Sequence, residues 1–404
     1  METALGYETE LKHHLKRERA AVSLSSKVGE LLYDKGIELV LFRNHLLDIT
    51  ISEVLNLHEY SKTVVNKPVD VFTTSDLAEE LTKLDLAPAK IDIGKLANEY
   101  LSEKENYASK AEFLADKLKG FETGNGVPFQ PRDVVLYGFG RIGRLAAREL
   151  IKQAGKGQQL RLRAIVTRSS SPEEIIKRAA LLKNDSVHGA FKGTVKVDIE
   201  NESIIINGQV VKIISAKNPE DIDYTAHGIN NALIIDNTGA FTTKDALSRH
   251  LQSKGSSRVL LTAPGKEIPN VVYGINQDTI DLQNEKIYSA ASCTTNAISP
   301  ILKVINDKLG VVKGHIETVH AYTNDQNLLD NMHSKPRRGR SAAINMVITS
   351  TGAGNAVTKV IPSLQDKLTA NAVRVPTPNG SLAILNLEVG KETSFDEVNE
   401  MIKD

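Results

Sequence analysis

Apolar positions recur at helical spacing through the first third of the chain, as at Val28, Leu31 and Leu32 and again at Leu39, Phe42 and Leu46, with charged residues between them. This texture predicts a charged, helical extension over residues 1–131. Gly120, Gly124, Gly126, Pro128 and Pro131 then crowd into a breaker-rich stretch of the kind that separates domains. From residue 132 the pattern changes: short β-branched runs at 134–137, 163–166, 232–235 and 258–261 alternate with helical stretches, which predicts a parallel α/β sheet. Residues 194–214 alternate polar and apolar around Asn207-Gly208, the signal of an antiparallel hairpin inserted into that region. A third pattern starts at Cys293, with a helix to about Leu309, a strand at 314–320, strands at 372–375 and 382–389, and a helical run from 395. The reading is α/β overall: a helical extension over 1–131, a parallel α/β domain over 132–292, and a partial α+β domain over 293–404.

Composition narrows the classes. Fifty basic residues balance 50 acidic ones over 404 positions, so the overall charge signals neither nucleic acid nor an anionic membrane as partner. No apolar run reaches the roughly 18 residues of a membrane span, and Met1-Glu2-Thr3-Ala4 opens no signal-peptide pattern. One cysteine cannot form an internal disulfide. These features predict a soluble cytoplasmic protein with a reduced thiol, and no metal site is read from the sequence.

That single cysteine, Cys293, stands in Ala-Ser-Cys-Thr-Thr-Asn at the head of a predicted helix. Unpaired backbone N–H groups and the positive end of the helix dipole favour an anion there, so a thiolate is stabilised. A buried structural cysteine is the competing reading. His320 ends the strand at 314–320, where an imidazole can face a cleft, and the two residues become a nucleophile and base only if the fold joins them. Gly138-Phe139-Gly140-Arg141-Ile142-Gly143 is a G-x-G-x-x-G between a strand and a helix. The first glycine permits the turn, the second lets backbone approach a pyrophosphate and the third lets helix pack on strand, which makes 132–292 a Rossmann-type dinucleotide-binding domain. The next strand ends in Thr167-Arg168 rather than in a ribose-binding carboxylate. Arginine and hydroxyl groups suit a 2′-phosphate, so the cofactor is NAD or NADP, with the local chemistry favouring NADP or tolerance of both. Arg168 as a solvated loop residue is the alternative.

Taken together, residues 133–404 resemble phosphorylating glyceraldehyde-3-phosphate dehydrogenase, through GFGRIGR (138–144), DSVHG (185–189), NTGAFTT (237–243), TAP (262–264), SCTTN (292–296), HAYTNDQ (320–326), STG (350–352) and RVPTPN (374–379). The resemblance implies that Cys293 attacks an aldehyde, that His320 handles the hydroxyl proton, and that inorganic phosphate releases an acyl phosphate from the thioester. It implies substrate-phosphate contacts from Thr323 and Arg374, attacking-phosphate contacts from Ser292, Thr294, Thr351 and Gly352, and Arg337 close to both. Arg141 and Ile142 would meet the pyrophosphate, with Asn237, Thr238, Gly239, Phe241 and Thr262 on the adenosine and ribose side. Helix capping by Thr294 and Thr351, a solvated Arg337 and a core Phe241 are the plainer alternatives. The family uses the loop after His320 to reach a neighbouring subunit, which implies a homotetramer.

Two residues depart from the family pattern: Tyr137 where asparagine is usual, and Thr167 where the ribose-binding aspartate is common. The family chain also continues past the position of Asp404 with further strands, a last helix and the asparagine that fixes the nicotinamide amide. The 404-residue chain alone is therefore expected to be less stable than a completed one and poorly active. The extension is similar to that of some longer bacterial forms. Erythrose-4-phosphate dehydrogenase and a non-catalytic nucleotide-binding regulator are the competing functions.

Overall fold

The computed structural model describes residues 6–403 except 66, 124–129, 156, 158 and 282. Gly124, Gly126 and Pro128 of the expected linker, and the first five residues, lie outside the described residues. The chain forms two compact units, Met1–Arg132 with Arg148–Leu162, and Asp133–Ala147 with Arg163–Asp404.

The first unit runs α1 (Tyr7–Lys35), β1 (Glu38–Leu41), β2 (Asn44–His45), α2 (Ile51–Val65), α3 (Val71–Lys83), β3 (Lys90–Asp92), α4 (Ile93–Glu103) and α5 (Lys110–Lys117). Its core gathers Leu24, Leu31, Leu77, Leu81, Phe113 and Leu114. The helical reading needs correction here, because β1, β2 and β3 form a small sheet in the order β2-β1-β3. Leu39 lies in β1 and Phe42 in its tight turn, at φ +46°. Three apolar residues at spacings of three and four are too short a run to separate a helix from a buried strand, and Ile37 to Leu41 reads equally as the latter. The carboxylate of Asp92 holds the turn, accepting N–H bonds from Phe42 (2.9 Å) and Arg43 (3.0 Å) as well as capping α4.

Next along the chain, β4 (Arg132–Tyr137), α6 (Arg141–Lys152), β5 (Leu160–Thr167) and α7 (Pro172–Lys183) open the nucleotide-binding sheet. A two-stranded ribbon, β6 (Asn184–Asp185) and β7 (Gly189–Ala190), follows. N–H donation from His188 and the Arg144 guanidinium hold the Asp185 carboxyl far below the usual carboxylate range. Then come β8 (Val195–Asp198), β9 (Ser203–Ile206), β10 (Gln209–Ser215), β11 (Ala232–Asp236), α8 (Lys244–Ser248), β12 (Ser256–Leu261) and β13 (Ile287–Ser289). The eight strands order as β13-β12-β11-β4-β5-β10-β9-β8. The expected antiparallel insertion is a meander whose last strand, β10, pairs parallel with β5, so it widens the main sheet instead of standing apart from it. From β4 the sheet grows one way through β5 and the other way through β11, and a crevice opens at the carboxyl ends of strands where the order reverses.

The remainder is α9 (Cys293–Leu309), β14 (Val311–Ala321), β15 (Val347–Thr349), α10 (Ala353–Val360), β16 (Leu368–Val375), β17 (Ser381–Val389) and α11 (Phe395–Lys403). The strands order as β15-β16-β14-β17. Ile298 and Leu302 of α9 and Val357 of α10 pack with Ile316 of β14 to form its core. In β14 and β16, which run parallel, His320 stands directly across from Arg374.

Candidate active site

Helix α9 begins where the sequence predicts, for local reasons. Ala291 takes a left-handed conformation (φ +59°) with its N–H given to Ser289 Oγ (2.9 Å). Ser292 is then the cap, its hydroxyl accepting from Thr295 N–H at 3.0 Å. Cys293 is therefore the first helical residue, and its side chain is exposed. Its Sγ lies 3.5 Å from Nε2 of His320, 27 residues on. The bond to His320 lowers the thiol from its ordinary value of 9.0 to about 7; burial opposes the shift, while the His320 charge and the Thr294 hydroxyl and N–H reinforce it.

His320 is held from behind. Its Nδ1 is 2.7 Å from the Ala321 carbonyl, and Arg374 Nη1 lies 2.8 Å from the same nitrogen and 3.0 Å from the same carbonyl. Arginine has no lone pair and stays protonated, so it donates to Nδ1 only when that nitrogen is bare. When the imidazole carries two protons, Nδ1–H takes the carbonyl and Arg374 loses that nitrogen as an acceptor. The Nε of Arg374 is buried without a partner among the described residues.

The expected anion groups are distributed around helix starts. The Thr351 hydroxyl accepts from Ala353 N–H (3.2 Å) at the head of α10, where Gly352 is the cap. Ser292 thus caps α9, Thr351 binds the first N–H of α10 from just before its cap, and Thr294 hydrogen-bonds the sulfur. Arg337 is exposed and reaches the Ile348 carbonyl (3.2 Å), whereas its neighbour Arg338 is tied to Asp325 and to Thr349 Oγ1. Cys293, His320 and Arg374 come together; among the described residues no hydrogen bond joins Thr323, Arg337 or Thr351 to them.

The glycine motif behaves as its positions require. Gly138 has φ +90°, and a Cβ on Gly143 would sit 2.4 Å from the Gly138 carbonyl oxygen, so helix and turn touch there. A Cβ on Gly140 would meet nothing within 4 Å, which leaves open space where a pyrophosphate must approach. A cavity of about 380 Å³ adjoins, bordered by Gly138, Gly140, Thr167, Arg168, Thr238 and Phe241 of the predicted set. Arg141, Ile142, Gly143, Asn237, Gly239 and Thr262 do not border it; Asn237 and Thr262 bond each other at 3.2 Å instead. Thr167 turns its hydroxyl to the Ser169 carbonyl (2.7 Å), and Arg168 is exposed. Lys217 and Arg178 also line the cavity, and the sequence reading missed both. Lys217 follows β10, whose carboxyl end opens on the same crevice, a placement visible only once β10 is assigned to the parallel sheet. The residues present fit an NAD or NADP nucleotide.

No described helix is long and apolar enough to cross a membrane. Among the described residues no cluster of His, Cys, Asp and Glu is arranged to hold a metal ion.

A nucleotide crevice at a sheet's switch point, with a thiol–imidazole pair in the adjoining α+β module, defines a nicotinamide-nucleotide oxidoreductase. Residues 132–244 match the glyceraldehyde 3-phosphate dehydrogenase NAD binding domain, and residues 292–404 match the C-terminal domain of the same enzyme. The chain belongs to the glyceraldehyde-3-phosphate dehydrogenase family. It is 45% identical over 379 residues to a glyceraldehyde-3-phosphate dehydrogenase-like protein of Pseudomonas aeruginosa (strain UCBPP-PA14), covering 93% of this chain and 82% of the relative. Glyceraldehyde-3-phosphate dehydrogenase 2 of Trichormus variabilis is 44% identical over 272 residues, or 67% of this chain and 78% of the relative. The chloroplastic form A of Zea mays is 42% identical over 273 residues, 67% of this chain and 65% of the relative. The Pseudomonas match is too long to fit within 132–404 and so runs into the extension.

Proposed function

We propose that the protein is a phosphorylating glyceraldehyde-3-phosphate dehydrogenase of the cytoplasm. The observation that carries this reading is the 3.5 Å approach of Cys293 Sγ to His320 Nε2 at a helix start, with the thiol lowered to about 7. The thiolate adds to the aldehyde carbon, and the imidazolium of His320 gives its Nε2 proton to the new oxyanion, leaving a hemithioacetal. A bound NAD or NADP supplies the two-electron acceptor for the C–H bond. Neutral His320 takes the hydroxyl proton as the carbonyl re-forms, giving a thioester on Cys293. A phosphate oxygen attacks that carbon, the C–S bond breaks, and the thiolate returns with release of an acyl phosphate. Arg374 and Thr323 serve the substrate phosphate, and Ser292, Thr294, Thr351 and Gly352 the attacking one, with Arg337 near both. The N–H groups at the starts of α9 and α10 support anion binding there. Arg141, Ile142, Gly143, Asn237, Gly239 and Thr262 complete the proposed cofactor set beyond the border of the cavity.

Mixing the purified protein with NAD(P)⁺ and glyceraldehyde 3-phosphate is expected to give a stoichiometric burst of reduced cofactor, followed by turnover only when inorganic phosphate is added. The burst reports acylation even where turnover is slow. Turnover independent of phosphate would overturn the phosphorylating reading, and a higher kcat/KM for erythrose 4-phosphate would reassign the substrate.

NADP, or tolerance of both cofactors, is favoured over strict NAD use in this reading. Arg168 and Lys217 border the cavity, and no carboxylate does among the described residues. Arg168→Asp is expected to weaken NADP about tenfold or more, the scale of a lost charge-assisted bond, and to weaken NAD much less. Titration of both cofactors checks this; equal losses would remove Arg168 from the 2′-phosphate site. The homotetramer is supported by the loop between β14 and β15, where Leu328, Met332, Ile344 and Met346 are all strongly exposed.

A further inference from the structure

Strand β11 ends at Asp236, whose carboxylate is fully buried. A carboxylate tolerates such a place only when its oxygens are taken up. Oδ1 accepts from the Thr238 N–H (2.8 Å) and the Thr238 hydroxyl (2.7 Å). Oδ2 is 2.9 Å from Nε2 of His250, a fully buried residue on the short turn Arg249–Gln252. With a carboxylate as partner, Nε2 carries the proton.

The connections run outward from this pair to the nucleotide cavity. The Thr238 hydroxyl oxygen accepts from Ala240 N–H at 3.1 Å. Thr238 Cγ2 packs against Gly138, where an added Cβ would meet it at 2.9 Å. The ring of Tyr137 stands edge-on to His250 (centroids 4.7 Å apart, 81° between planes), and Phe241 does so from 5.8 Å at 86°. Tyr137, Gly138, Thr238, Ala240 and Phe241 all border the cavity; Asp236 and His250 do not. Two buried polar residues outside the site thus hold five that form its wall.

We propose that Asp236 and His250 are a positioning pair for the nucleotide wall: His250 orients the Asp236 carboxylate, which fixes Thr238 and, through it, Ala240, while the imidazole sets the two aromatic rings. The proposal rests on the reading of the cavity as the NAD(P) site. Removing the His250 donor leaves a buried carboxylate oxygen without its partner, and the wall re-forms around a differently placed Thr238.

The test compares His250→Phe, which fills the space without the N–H, with His250→Gln, which keeps a donor. His250→Phe is expected to raise the dissociation constant and KM for NAD(P) about tenfold or more, the loss that goes with one hydrogen bond to a charged group. The kcat and the pH profile of Cys293 alkylation stay near those of the unaltered protein, and His250→Gln recovers most of the affinity. Should His250→Phe not fold, Thr238→Val carries the test, since it removes the hydroxyl that links Asp236 to Ala240 with little change of shape; an unchanged cofactor affinity there overturns the proposal. Equal cofactor affinities in the unaltered and His250→Phe proteins overturn it as well, as does a loss shared by kcat and Cys293 reactivity with KM unmoved. An unaltered protein that binds neither cofactor refutes the nucleotide reading itself, which keeps the two failures apart.

Discussion

An asparagine in place of His320 is expected to return Cys293 to the pH range of an ordinary thiol. In the intact protein the thiol is half ionised at about pH 7, against an ordinary 9.0, and the largest cause is its bond to His320. The thiolate fraction rises with pH through the pKa, so near pH 7 it falls from about one half to about one hundredth if the whole shift is lost. Iodoacetamide labelling at pH 7 should then slow by about tenfold to fiftyfold; the lower figure applies if the Thr294 hydroxyl and N–H keep part of the shift. Turnover should fall further, by about 10² to 10⁴, because the same substitution removes the group that carries the proton. A labelling profile whose midpoint stays near 7 in His320→Asn would sink the assignment of His320 as the partner of the thiol. Cys293→Ser serves as the zero of both assays.

The second large effect is expected from the glycine turn, and it separates the roles of two glycines of one motif. A methyl group at Gly143 meets the carbonyl oxygen of Gly138 at 2.4 Å and its carbon at 3.3 Å. Both are backbone atoms, so no side chain can swing aside, and α6 must move off the turn. Gly143→Ala should cost about 1–3 kcal/mol or more, the range for overpacking, and lower Tm by several degrees while weakening NAD(P). At Gly140 a methyl group enters open space, so Gly140→Ala should melt where the unaltered protein does in the absence of cofactor. Its defect should appear only on titration, as a weaker cofactor with less ligand-induced rise in Tm. If Gly140→Ala lowers Tm as much as Gly143→Ala, the open space is not a nucleotide cradle.

How far the site could be read beforehand depended on the kind of information each residue needs. Gly138, Gly140 and Gly143 announce themselves because the turn between strand and helix is a local event set by backbone sterics. Ser292 and Gly310 bound α9 for the same reason: one caps its first turn and the other ends it, so the position of Cys293 follows from its neighbours. The small sheet of the extension was not legible, since a four-residue strand such as β1 is held along one edge by β3, some 50 residues away. Lys217 was hidden by the same ambiguity, because β10 reads as a hairpin arm until β5 is seen beside it.

By itself the amino-acid sequence determined the α/β class, the Rossmann turn, the helix start that carries Cys293 and the family resemblance, all of which rest on contacts between near neighbours or on ordered motifs. Only the tertiary structure decided that His320 meets the sulfur, that Arg374 stands across from His320 on the adjacent strand, and that Asp236 and His250 lie beneath the cavity wall. The physical reason is that side-chain spacing along a strand or helix is fixed by local geometry, whereas which strands become neighbours follows from burying their apolar faces in a common core, a property of the whole chain.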